Sequence, residues 1–513
     1  MNTKSFPFVD AIYRSSEIAA HKGNPFIEAL PALPSDMAIA LALTYLPPFD
    51  TADRQLDAPQ RVQRLELLSK LFVALPRIVR LARAMMKMMI SGYGQRRPHS
   101  AGEAEVLRGL YALQQSGAFV SAAQSTVAAQ LTMALVGASG CGKSFSINHI
   151  TNLFPPAIYH ETLGKWQLPF LVVEMSYDGE SVNTLATRIY EALQRILPDG
   201  NYLETYAQRS KNAEQRLANA FLVAQGVGVG QIVVDESQNQ RGIGNDPPPT
   251  GKGRTSRAKP KLKEETPLMK LLITASNTSK IPMVFTGTLE MKSVVGSRFT
   301  LSRRMSGHGS AEWHPFDAPT GDSKLPGEFD IPLMAFFKYQ WVRIPIVFSK
   351  HWADLFYELS QGVPDVFVKL FESAQEAAIA SGLETLTDVL VRAVAAKEFI
   401  AVEFGVKALR TGDRVMLDAV TDLYADRSVA VSPSTGPAPS PTRAPNVASA
   451  APDQSSAAQP RAEKPAKEQP KAPTPVPFDA KLLAAADIRL DEDGQAPAAA
   501  RALTLSDLVG SSK

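Results

Sequence analysis

Residues 137–144 read GASGCGKS, a fit to G-x-x-x-x-G-K-[ST]. The loop runs through Gly137, Ala138, Ser139, Gly140, Cys141, Gly142, Lys143 and Ser144. Its glycines permit torsions that side chains resist, so successive N–H groups can turn inward around phosphate oxygens. Lys143 supplies a mobile cation for β- and γ-phosphates, and Ser144 offers a hydroxyl to Mg²⁺. A second element, IVVDE, ends in Asp235 and Glu236. An acidic pair closing a buried apolar strand is costly unless it does chemistry. Asp235 is expected to hold Mg²⁺, directly or through water, and Glu236 to orient or activate the attacking water. A third element is VFTGT, in which Thr288 is the first choice to touch the γ-phosphate or the water and Thr286 the second. SRR at 302–304, with Arg298 nearby, supplies arginines that could reach the nucleotide of a neighbouring subunit. Cys141 has no evident histidine partner and no nucleophilic role. Alkylating it should hinder ATP binding where the loop is accessible.

These residues need a frame. The runs MALVG (133–137), PFLVVEMS (169–176), QIVVDE (231–236) and IPMVFTGT (281–288) are apolar and β-branched. They predict strands buried on both faces of a parallel sheet. SFSINHITNLF, SVNTLATRIYEALQRIL and AEQRLANAFLVAQ lie between them and predict helices. This alternation is α/β, with a nucleotide-binding core over about 126–320. Residues 1–125 predict a helical N-terminal region in which RIVRLARAMMK puts Arg77, Arg80, Arg83 or Ala84, and Lys87 on one face, a pattern usual for a solvated helix. Residues 321–428 predict a small all-α lid. The segment 239–267 carries seven Lys or Arg and no apolar periodicity, so it predicts a flexible basic insertion. From 429 to 477 the chain is rich in Pro, Ala and Ser and predicts a disordered linker, followed by a leucine-bearing tail at 478–513.

The bulk numbers narrow the field. Of 513 residues, 45% are hydrophobic and 20% charged, which suits a globular protein with a real core. The net charge is only +3, so any basic footprint for nucleic acid must be local. One cysteine permits no internal disulfide. No secretory signal or membrane-spanning run is evident, and the expected location is the cytoplasm.

Beyond these generic elements, the chain resembles TnsC, the AAA+ ATPase regulator of transposons with a heteromeric TnsA–TnsB transposase. The stretches that carry the likeness are NPFIEALP (24–31), GYGQRRP (92–98), GASGCGKS, PPAIYHETL (155–163), VVDESQ (233–238), TGT (286–288), SRRMSGHGSAEWHP (302–315) and YELSQGVPDVFVKLF (357–371). The resemblance implies an AAA+ fold and ATP-driven rings or filaments of the chain around double-stranded DNA. It also implies recruitment by TnsD or a TniQ-type selector through the N-terminal region, licensing of TnsA and TnsB, and disassembly on hydrolysis. The tail at 478–513 would engage the transposase. Arg303 and Arg304 become the arginine-finger candidates ahead of Arg298. The lid stretch GVPDVFVKLF lacks the second-sensor arginine that many AAA+ proteins have, with Lys369 the nearby cation. The basic insertion would add sequence-independent phosphate contacts. Two rival classes stand beside this reading. A helicase loader or replication initiator should carry a winged helix after the lid, where this chain has a Pro/Ala/Ser-rich linker. A metabolic P-loop kinase would leave the tail unexplained.

Overall fold

The computed structural model describes residues 8–116, 132–175, 182–198, 200–207, 213–237, 267–289, 291 and 311–420. Among them, seven strands form one sheet: β1 (Phe8–Asp10), β2 (Thr132–Gly137), β3 (Ala157–His160), β4 (Lys165–Glu174), β5 (Val229–Asp235), β6 (Met283–Gly287) and β7 (Ala311–Trp313), in the order β1-β3-β4-β5-β6-β2-β7. The helices before the phosphate loop are α1 (Pro25–Glu28), α2 (Asp36–Leu43), α3 (Ala58–Arg64), α4 (Pro76–Gly94) and α5 (Ala101–Ser116). Within the α/β core come α6 (Lys143–Thr151), α7 (Val182–Ile196), α8 (Tyr202–Tyr206), α9 (Ala213–Gly226) and α10 (Pro267–Ser279). After β7 follow α11 (Asp330–Phe336), α12 (Lys350–Ser360), α13 (Pro364–Ala380), α14 (Asp388–Glu398), α15 (Ile400–Thr411) and α16 (Arg414–Ala419). The fold is α/β, of the AAA+ kind.

The central strands are buried along their length because helices cover both faces. Their registers align Leu135 with Thr286, Ile232 with Met283, and Glu174 with Asp235. The carboxyl ends of β2, β5 and β6 therefore open on the same edge, where ligands of open α/β sheets bind.

Two features depart from the expected frame. The sheet is not wholly parallel: β3 and β4 pair antiparallel. They are joined by a 3-10 turn at Glu161–Leu163 closed by Gly164 at φ 59°, and so short a link cannot make a parallel crossover. The N-terminal region is also not purely helical, since β1 pairs parallel with β3 at the sheet edge. Three residues with no buried side chain give no periodic signal in sequence.

The NPFIEALP and GYGQRRP stretches lie away from the phosphate loop and join the N-terminal region to the sheet. Asn24 caps α1 and its amide donates to Tyr93 O at 3.0 Å. The Tyr93 hydroxyl donates to Gly228 O at 2.9 Å, and Arg96 donates to Val229 O and Gly230 O at the start of β5. A second link ties α3 to the far helices. Arg61, fully buried, donates bidentately to Glu384 at 2.7 Å on each arm and also to Trp341 O. The expected positive face of α4 is only half realised. Arg80 and Lys87 face solvent. Arg77 folds beneath β7, over the rings of Trp313 and Phe316 at 4.9 and 4.2 Å. Arg83 pairs with Asp36. Aromatic faces and a nearby carboxylate hold a guanidinium better than a bare helix pattern suggests. No helix among the described residues is long and apolar enough to cross a membrane.

Candidate nucleotide site

The phosphate loop leaves β2 at Gly137 and enters α6 at Lys143. Gly140 and Gly142 take φ of 74° and 79°, the left-handed region that side chains disfavour. Gly142 caps α6 with no side-chain bond, so the first turn of that helix keeps backbone donors available to an anion. Gly137 has a separate reason: a Cβ there would lie 2.7 Å from Trp313 O on β7. Lys143 Nζ donates to Gly137 O and Ala138 O, both at 2.9 Å, which folds its ammonium back over the loop. Charge-assisted bonds to phosphate oxygens are the stronger partners for that group.

Across the loop, β5 ends at Asp235. Its Oδ1 accepts from Glu236 N at 2.9 Å and from the Thr286 hydroxyl. Both bonds fall on one oxygen and orient the carboxyl group, leaving Oδ2 as the oxygen able to face a cation. Thr286 is fully buried and braces Asp235, while Thr288, two residues on, lines the cleft. Glu236 is exposed at the mouth with φ 54°, a conformation that costs a non-glycine residue on the order of 1–3 kcal/mol. Ser237 stabilises the turn by donating to Val234 O at 2.9 Å.

These groups line one cleft of about 740 Å³. Ser139, Gly140, Gly142, Lys143 and Ser144 of the loop line it together with Asp235, Glu236 and Thr288. Ser144 and Asp235 bring a hydroxyl and a carboxylate, the hard oxygen donors suited to Mg²⁺. No cluster of three or more His, Cys, Asp or Glu that could hold a metal occurs among the described residues. A cation held by Ser144 and Asp235 would take its remaining ligands from phosphate and water, as Mg²⁺ in such sites does. When bound, it neutralises charge developing on the phosphoryl oxygens.

The other walls were not legible as site residues. Leu68, Ser69 and Leu71 reach the cleft from a 3-10 segment (Leu65–Lys70) and the residue after it, and Phe145 from α6. The lid contributes Asp365, Val368, Lys369 and Glu372. These recur at i, i+3, i+4 and i+7, a helical spacing that could have marked a shared face. The lid also touches the loop directly, since Asp365 N donates to Gly140 O at 3.2 Å. Lys369, the cation noted in sequence, lies on this wall with its ammonium 2.7 Å from Asp365. Arg298, Arg303, Arg304, the basic insertion up to residue 266 and the tail lie outside the described residues.

Cys141 is buried, and burial pushes its thiol up to about 11, against the pull of Arg77 and Lys143. A thiolate is scarce there at neutral pH. Burial and a scarce thiolate both predict slow alkylation of the intact loop.

Residues 127–295 match the family model for an AAA domain. The chain carries an AAA-type ATPase domain. Comparison with curated proteins gives no match. The matched span of the AAA domain begins just before β2 and includes the phosphate loop, Asp235, Glu236, Thr286 and Thr288. The wall from 65–71 and the lid lie outside the match, yet they complete the same cleft.

Proposed function

We propose that the protein is an ATP-gated, DNA-binding regulator of transposition of the TnsC kind. In this reading Mg–ATP binding drives self-assembly on double-stranded DNA. The assembly links a TnsD or TniQ-type selector to TnsA and TnsB, and hydrolysis dissolves it. The observation that carries the gating is the lid's contact with the phosphate loop, Asp365 N to Gly140 O, beside Lys143, Asp235 and Glu236 in one cleft. A triphosphate bound there would meet loop and lid together, so its presence can bias how protomers pack. The named partners and the DNA are supported by the family stretches quoted above, which extend beyond the AAA domain on both sides. The same stretches favour this reading over a helicase loader. Arg303 and Arg304 are the candidates to complete a neighbour's site in the assembly.

Two variants separate the steps. Glu236→Gln keeps the loop and Asp235 but loses the carboxylate that activates water, so it should bind duplex DNA with ATP and fail to release it. Lys143→Ala should lose nucleotide-dependent DNA binding. Equal behaviour of the two in a DNA-retention assay would overturn the proposal. Deleting 239–266 should flatten the salt dependence of DNA binding; an unchanged slope would remove the insertion from the interface.

A further inference from the structure

A groove of about 320 Å³ opens between the turn after α6, β4 and the last turn of α7, and it shares no residue with the nucleotide cleft. Phe154 of the turn and Phe170 of β4 are buried yet line it, their rings edge-on at 5.3 Å. Pro155 and Pro156 also line it and stiffen the backbone there. The one charged side chain on the groove is Arg195, which is exposed and has no ion pair among the described residues. Glu191, a turn earlier on α7, makes no ion pair with it, and in the adjoining cavity Arg188 and Glu174 satisfy each other at 3.5 Å. An apolar floor beside an unspent cation recognises aliphatic side chains followed by acids. The volume is that of a few side chains, so the occupant is a short segment, not a folded partner.

We propose that the groove seats this chain's own residues 488–493, IRLDED. In extended form Ile488 and Leu490 project to the same side and would meet the two rings. Asp491, Glu492 and Asp493 follow them directly and would meet Arg195. The other leucine-bearing stretch of the tail, ALTLSDLV (502–509), carries a single acid and lacks this match. Reach is sufficient. Roughly 70 residues separate Val420 from Ile488, and a linker of that length spans about 45 Å, comparable with the width of the folded body. Tethering raises the local concentration of the segment far above that of another copy, so the seating is within one chain. A tail held here is withheld from other partners until one binds it more tightly. The inference stands on the groove and the tail's sequence and needs neither nucleotide nor DNA.

The test uses the full chain without nucleotide or DNA, with p-benzoylphenylalanine in place of Asn152, an exposed residue lining the groove. Irradiation should join that position to the segment 487–493, located by mass spectrometry. In an equal mixture of light and heavy isotope copies, adducts should form within one label only. Leu490→Ser and Arg195→Glu should each lower the yield, Arg195→Glu about fivefold. Combining Arg195→Glu with Asp491→Arg and Asp493→Arg should restore it, which a variant that merely misfolds would not. Adducts to 502–509, to the folded surface of a second copy, or across the isotope labels overturn the proposal. A yield indifferent to Arg195→Glu, or no adduct at all, overturns it as well. None of these outcomes touches the nucleotide cleft, so the function proposed above stands or falls separately.

Discussion

Glu236 shows how chemistry and stability part company at single residues. It holds a left-handed backbone at the end of a buried strand, with an exposed side chain that contributes little to the core. Glu236→Gly should therefore hold or raise thermal stability, by up to about 1 kcal/mol, while ATP turnover falls at least 100-fold. A melting curve and a phosphate-release assay on one preparation check both halves; a destabilised variant would mean the backbone is not strained there. Cys141 is the complementary case. With burial raising its pKa, Cys141 is a thiolate far less often at neutral pH than a free cysteine. Iodoacetamide should modify the native protein at least about tenfold more slowly than the unfolded one. Matching rates would place the thiol in solvent.

At the level of elements, Arg61 and Glu384 link the N-terminal region to the lid. Arg61→Ala takes the donor from Leu56 O and Trp341 O and leaves the Glu384 carboxylate to Arg343, and should cost about 3 kcal/mol in denaturant unfolding, with a smaller loss for Glu384→Gln. The hydrogen bonds from Arg61 hold the Glu384 carboxyl below its ordinary value. As pH falls, the unfolded chain takes up this proton before the native one, so the contribution is complete at neutral pH. It drains away below the unfolded value of about 4.3 and on through the lower native one. Melts at pH 7 and pH 4 should bring wild type and Glu384→Gln closer together at the lower pH. A gap that stays constant would mean that the pair is not coupled to folding.

The same elements show what a sequence can disclose. β2, β4, β5 and β6 were legible because continuous apolar runs can be satisfied only inside a sheet, and the phosphate loop because few residue types fit its torsions. β1, β3 and β7 were not, since strands of three or four residues carry too few side chains for a period. The cleft's phosphate end could be read from spacing alone. Its other wall could not, because Leu68 and Ser69 come from a 3-10 segment, with Leu71 just after it, whose approach to α13 is set by tertiary packing.

For the whole molecule, the matched AAA domain is completed by parts on either side of it. One hydrophobic core runs from Phe26 to Val394, so N-terminal region, sheet and lid pack continuously. A change at the nucleotide can then be felt at distant surfaces through a packed body instead of a hinge between separate domains. The decisive measurement is electron microscopy of the protein with duplex DNA, with and without a slowly hydrolysed ATP analogue, beside Lys143→Ala. Closed rings or filaments on the duplex should form with the analogue and only for the wild type. Isolated monomers under every condition, or assemblies indifferent to nucleotide, would contradict a triphosphate-gated grip on DNA.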